Sequence, residues 1–252
     1  MVKETSYWNK NMDSTIQNIS ISNLMLAFIP VVVVLVILYR WSLGYANAVY
    51  AVLRMLVQLL LIGYLLTYIF DSESQWVVVV VLCVMVSVSS WIALQTVSPS
   101  RRRALYRPAL VAITLAGSSV LFLMTEAVLD VDPWFHPSQL IPLAGMVFAN
   151  AMNSLAIAVE RMEAEVERGV VYLEARVIAL RAAMIPVINS LFAVGLVSLP
   201  GMMTGQILSG VSPLIATRYQ IMVMCLVFGS AGIATALFLV LAKRHYAVTE
   251  KC

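Results

Sequence analysis

Ala182 to Gln220 reads AAMIPVINSLFAVGLVSLPGMMTGQILSGVSPLIATRYQ, and its centre, Val194 to Gly205, is VGLVSLPGMMTG. This stretch is too apolar for a surface loop and too rich in Gly and Pro for an ordinary buried helix. A Pro-Gly pair interrupts the backbone hydrogen-bond ladder. In lipid, such an interruption persists only where protein or a water-lined cavity satisfies the freed groups. Two readings fit. One is a membrane-embedded helix broken on purpose beside a transport pathway. The other is a kinked structural helix packed by small residues, since Gly and Pro are commoner in transmembrane helices than in soluble ones.

Working outward, the whole chain of 252 residues shares this character: 62% of it is hydrophobic and 12% charged. A soluble domain carries roughly 25% charged residues. The length is therefore spent on spans of about 20 residues each, not on one aqueous core. A net charge of +3, scattered in short clusters between apolar runs, looks like topology signals and implies no nucleic-acid partner. Three cysteines (Cys83, Cys225, Cys252) without CxxC spacing imply neither a disulfide framework nor a zinc site. The two histidines, His136 and His245, lie far apart. Residues 1–20 lack the pattern of a cleaved signal peptide.

Apolar runs occupy about 24–39, 48–70, 76–97, 108–129, 140–159, 184–208 and 219–242. Their flanks alternate. Arg40, Arg101–Arg107, the arginines of 161–181 and Lys243-Arg244 fall on one side, and Asp71/Glu73 and Asp130/Asp132 on the other. Positive-inside logic puts the first set in the cytoplasm. The expected fold is all-α: a polytopic helical membrane protein of about seven transmembrane helices, N-terminus outside and C-terminus in the cytoplasm. Its expected parts are a polar tail (1–20), transmembrane helices 1–5 (21–159), a cytoplasmic amphipathic or coupling segment (160–183), helices 6–7 (184–243) and a cytoplasmic tail (244–252). In the 160–181 segment, glutamates and arginines interleave with Val170, Leu173, Val177 and Leu180 at helical spacing. Such a helix, or pair of helices, lies on the membrane surface, docks a cytoplasmic partner or is a solvated extension. Glu163, Arg168, Glu174, Arg176 and Arg181 are the docking candidates.

Polar groups inside spans are costly and tend to face a cavity or the bundle interior. Gln58, Asn150, Asn153 and Asn189 are such groups. They read either as lining of a pathway or as interhelical hydrogen-bond glue. Glu126 lies near the end of the fourth run, and Arg54 shares a helix face with Gln58. Ser198, Met202, Met203 and Thr204 flank the break and join the pathway candidates, with Pro200 and Gly201 as its hinge. Methionines 146, 152, 202, 203, 222 and 224 cluster in the later spans. Thioethers are soft metal ligands but also ordinary packing groups. No metal-ligand set can be named from the residues. The chain has no GxSxG, HExxH or GxxxxGK[ST] motif, so any ATP hydrolysis would belong to another polypeptide.

VGLVSLPGMMTG, continued by QILSGVSPLIATRYQIMV, resembles the FetB-type family of ABC transporter permeases. So do AVLRMLVQLLLIGYLL (51–66), IPLAGMVFANAM (141–152) and RAAMIPVINS (181–190). The matches thread the chain from about residue 48 to 242. The chain departs from the family at Asn189, where Asp is usual, and at Phe192-Ala193, where Lys-Thr is usual. Ala149 stands where Gly is usual, and the LGAxP-type stretch, which looks like the family's coupling helix, is absent. The resemblance implies an integral multi-pass permease subunit linked to iron export, metal homeostasis and oxidative-stress resistance. It would sit in a plasma or inner membrane of a bacterium, or in an organelle or plasma membrane of a eukaryote. It also implies homodimers in the lipid bilayer that recruit an ATP-binding subunit. No cofactor is expected in this chain, ATP-Mg sitting on that subunit. Export of a nucleotide sugar or other organic solute, or a diverged receptor, channel or scaffold without an ATPase, are the alternatives.

Overall fold

The computed structural model describes residues 19–70, 74–130 and 132–246. Most of the 1–20 tail, Asp71 and Glu73, and the tail from residue 247 lie outside the described residues. The described chain is all helix and connection, without a strand: α1 Ile21–Leu26, α2 Ile29–Arg40, α3 Tyr45–Phe70, α4 Gln75–Ile92, α5 Pro99–Phe122, α6 Pro137–Glu167, α7 Tyr172–Ala193, α8 Gly201–Leu208, α9 Pro213–Leu241 and α10 Lys243–Tyr246. A π-helical turn, Leu123–Val128, extends α5. Among the described residues, seven stretches are long and apolar enough to cross a membrane. They are Ile21–Arg40, Tyr45–Leu66, Gln75–Ile92, Pro99–Val128, Pro137–Glu167, Tyr172–Ala193 and Pro213–Leu241.

The chain divides into two compact units. The first holds α1 to α3, with residues 208–210. Here α2 and α3 meet across a turn in which Ser42 and Gly44 take positive φ (57° and 63°). Their side chains are largely exposed although apolar, as suits helices solvated by lipid on most faces.

In the second unit α6 and α9 are central. α6 packs on α4, α5, α7 and α9, and α9 packs on α5, α6 and α7. Lipid tails are as apolar as leucine, so helices there associate by close van der Waals fit, which favours small residues at the seams. Ala109, Ala112, Ala116 and Gly117 are buried on α5, and Ala144, Ala151 and Ala158 on α6. At Gly117 a Cβ would lie 2.6 Å from Phe148 Cε1. Only glycine permits this approach of α5 to α6. Hydroxyls in the spans mostly bond their own helix: Ser90 Oγ donates to the Val86 carbonyl (2.7 Å) and Thr114 Oγ1 to Leu110 (2.7 Å).

The sixth span differs from its sequence-based bounds. It runs Tyr172–Ala193, not 184–208, so the 160–183 segment is shared between two long helices. α6 continues to Glu167, the chain turns at Gly169 (φ +80), and α7 starts at Tyr172. The amide of Val170 closes this turn on the Glu165 carbonyl (3.0 Å), as in a glycine-capped helix end. Ala175, Ala179, Ala183 and Val187, every fourth residue of α7, are buried. This seam holds α7 to its neighbours despite Glu174, Arg176 and Arg181 on its other faces. The Pro-Gly break accordingly falls after the span, between α7 and α8, not inside one long helix.

Candidate functional site

After Ala193 the backbone satisfies its own polar groups. The Val194 amide reaches the Ser190 carbonyl (3.0 Å), Val197 reaches Ala193 (2.8 Å), and Gly195 donates to the Ser198 carbonyl (2.9 Å). Gly195 has φ +83, a conformation glycine adopts without strain. Leu196 and Val197 at the tip are 91% and 84% exposed. A turn that is closed on itself and presents leucine and valine is built for an apolar surrounding. Pro200, which could not donate within a helix, precedes α8. Its carbonyl accepts from the Thr204 amide (3.0 Å) and from Thr204 Oγ1 (3.1 Å). α8 ends where Val211 donates to the Gln206 carbonyl (3.0 Å) across Gly210 (φ +88).

This geometry sets a cavity of about 410 Å³ against the break. Met202 and Gln206 of α8, Tyr219 and Met222 of α9, and Ser138 and Pro142 of α6 help to line it. Gln206 Oε1 is sealed from solvent with no hydrogen-bond partner among the described residues. A buried acceptor left so costs about 1–3 kcal/mol, a cost that a donor on a ligand or a water removes.

The other pathway candidates are placed differently. Gln58 is exposed on α3 in the first unit. Asn150 is half-buried and its Nδ2 donates to the Met146 carbonyl (2.8 Å) of its own helix. Asn153, Asn189 and Ser198 are exposed. Met203 and Thr204 are half-buried, and of the break residues only Met202 lines the cavity. Gln206, four residues after Met202, was legible as its neighbour on one helix face but carried no other signal. A larger cavity of about 550 Å³ lies between α4, α5 and α6, with Glu126 on its wall. Among the described residues no group of three or more His, Cys, Asp or Glu side chains is placed to hold a metal ion.

The docking candidates also divide. Glu163 turns inward and pairs with Arg101 of α5. Both meet Tyr246: the Arg101 guanidinium lies 5.5 Å from its ring centroid, and Tyr172 stacks on it at 6.5 Å. Tyr172 in turn donates to the Leu239 carbonyl near the end of α9. Burial, then the charge of Glu163 and hydrogen bonding to it, push the Tyr246 phenol above the ordinary tyrosine range, while Arg101 pulls it down. Arg168 is 65% exposed and reaches the buried Glu165 (3.3 Å), which Arg161 also holds (2.6 Å). Glu174 and Arg181 are exposed. Arg176, Arg181 and Met184 line a third cavity, of about 470 Å³, against Ala236 and Val240 of α9.

The family model described as "Uncharacterised protein family (UPF0014)" matches residues 21–179 and 171–247. The chain belongs to this family. A UPF0014 relative, the membrane protein slr1647 of Synechocystis, is 32% identical over 210 residues, 77% of this chain and 80% of its own. The probable iron export permease protein FetB of Escherichia coli is 32% identical over 246 residues, covering 91% and 93%. The protein ALUMINUM SENSITIVE 3 of Arabidopsis thaliana is 32% identical over 228 residues, covering 83% and 81%. No solved structure matches. With seven apolar helices of spanning length and membrane-protein relatives, this UPF0014 protein is an integral multi-pass membrane protein.

Proposed function

We propose that this chain is the membrane-spanning permease subunit of an ABC transporter that exports iron, and that its cargo passes beside the Pro200-Gly201 break. The observation that carries the reading is the cavity walled by α6, α8 and α9, with Met202 and the unpartnered Gln206 acceptor on it. A relative named as a probable iron export permease aligns over 91% of the chain, which supports the direction and the cargo. The chain would work as a homodimer with two ATP-binding subunits. These would dock on the hairpin formed by the end of α6 and the start of α7, where Arg168 and Glu174 are exposed; Arg181 is exposed further along α7. Glu163, turned inward onto Arg101, is not part of that surface.

Closure of the partner would rock the hairpin and move α8 about Gly201. A Cβ at Gly201 meets nothing within 4 Å, so a larger side chain there is accommodated. Gly201→Leu therefore tests motion rather than folding. With the partner present, the native protein shows cargo-stimulated ATP hydrolysis and Gly201→Leu loses it, at unchanged thermal stability. Hydrolysis and transport unchanged in Gly201→Leu would remove the hinge. Cellular iron that does not rise on deletion under iron load would remove the cargo. A chain isolated from membranes without any ATP-binding protein would favour the receptor, channel or scaffold reading.

A further inference from the structure

We propose that the cavity of about 550 Å³ between α4, α5 and α6 is a binding site for amphiphilic organic cations, with Glu126 as their charge partner. Its volume falls in the range of small-molecule sites, roughly 300–1,000 Å³. Val79, Leu82, Leu121 and Phe148 form apolar walls, with the Trp134 ring among them. Thr114 and Thr125 also line it, their hydroxyl protons donated to the Leu110 and Leu121 carbonyls (2.7 and 3.0 Å). Glu126 is the one charged residue on the lining, and among the described residues it makes no ion pair or hydrogen bond.

The backbone there is specialised. Leu123–Val128 is a π-helical turn, a form that is rare and frequent at functional sites. Thr125 and Glu126, both in this turn, lie on the cavity lining. Glu126 is exposed at the end of the span, where its carboxylate is open to a ligand entering the cavity. The walls reject a hydrated inorganic ion and the carboxylate rejects an anion. A ligand that satisfies both carries an apolar body and one positive charge, and Trp134 on the lining is an aromatic ring of the kind that attracts cations.

The test uses the full chain in phosphatidylcholine nanodiscs and two probes of like shape, tetraphenylphosphonium and tetraphenylborate. Cys83, an exposed free thiol on the lining, is the reporter in a Cys225→Ser/Cys252→Ser background. Tetraphenylphosphonium is expected to bind saturably and to slow maleimide labelling of Cys83, and tetraphenylborate to do neither. Glu126→Gln should weaken phosphonium binding about fivefold, the worth of one exposed charge pair of about 1 kcal/mol. Ser118→Trp, which fills the lining, should abolish protection altogether. Equal protection by the two probes would mean an apolar pocket that takes lipid tails, and would overturn the proposal. So would phosphonium binding that Glu126→Gln leaves unchanged. If Ser118→Trp does not fold, the probe comparison and Glu126→Gln still decide. No arm involves an ATP-binding partner, so the outcome is independent of the transport reading.

Discussion

Glu163→Gln should destabilise the second unit, and the structure sets how much. The Glu163 carboxylate is 18% exposed and its partner Arg101 35% exposed, so the pair is neither a surface ion pair nor a fully buried one. A hydrogen bond to a charged group contributes about 1.5–3 kcal/mol net when buried. Solvent screening brings an exposed pair below about 1 kcal/mol. The intermediate burial places Arg101–Glu163 at about 1.5–2 kcal/mol. Glutamine keeps the shape and removes the charge, leaving Arg101 half-buried over the Tyr246 ring. For a chain of this size a kcal/mol moves Tm by about 2–4 °C, so Glu163→Gln should lower it by about 3–8 °C.

The assay is thermal unfolding in one detergent at one scan rate, because membrane proteins unfold irreversibly and only matched rates compare. Arg168→Gln is the internal control. Arg168 is 65% exposed and sits at 3.3 Å from Glu165, so its loss should cost under about 1 kcal/mol. Arg101→Gln and the double variant complete a cycle that isolates the pair. A drop no larger than that of Arg168→Gln would refute the reasoning. So would a coupling energy within about 0.5 kcal/mol of zero.

The alkaline limb of stability should bear the mark of Tyr246. Its folded pKa is raised above the ordinary 10.0, so its contribution is fully present below pH 10 and is lost as pH rises beyond it. Tyr246→Phe should flatten the fall in Tm between about pH 10 and 11; an unchanged slope would refute the assignment. Gly117→Val should cost about 1–3 kcal/mol by overpacking, since the first added carbon already meets Phe148 at 2.6 Å and Val147 at 3.2 Å. Gly63→Val, where a Cβ meets nothing within 4 Å, should leave Tm unmoved; equal losses at the two sites would contradict the packing argument.

What could be read from sequence follows from which forces act locally. Apolar runs marked the spans because lipid solvates side chains one at a time, without regard to neighbours. The sixth span escaped because Glu174, Arg176 and Arg181 dilute its hydropathy. What holds α7 is its alanine seam at 175, 179 and 183, and the value of that seam depends on the facing helices. Pro200-Gly201 was legible as a break but not as one that follows a span, since Gly195 at φ +83 ends the chain's helical course first. Arg101 and Glu163 are 62 residues apart, and Tyr246 lay in a segment read as tail. Nothing local ties them. Glu126 was legible as an acid near the end of a span, whereas the π-turn that holds it leaves no trace in residue type.

The placement of these features along the helices carries a mechanical consequence. Arg101 is in the first turn of α5, Glu163 in the last turns of α6, Tyr172 opens α7, and the Leu239 carbonyl lies near the end of α9. Tyr106 also reaches the Ser87 carbonyl of α4 at that end (3.4 Å). The cavities with Met202 and with Glu126 touch the opposite ends of α5, α6 and α9. The Arg101–Glu163 pair and its contacts with Tyr246 are only partly screened by solvent, so parting them costs more than parting a surface pair. Apolar contacts between helices in lipid exchange for contacts of equal chemistry with acyl chains. One end of the bundle is therefore pinned and the other is free to change its packing at small cost. On the proposed function, a push on the α6–α7 hairpin reaches the pinned end first and is carried by α6 and α9 as levers. The displacement is then taken up where the cavities are, so the knot of Arg101, Glu163 and Tyr246 serves transport by not yielding.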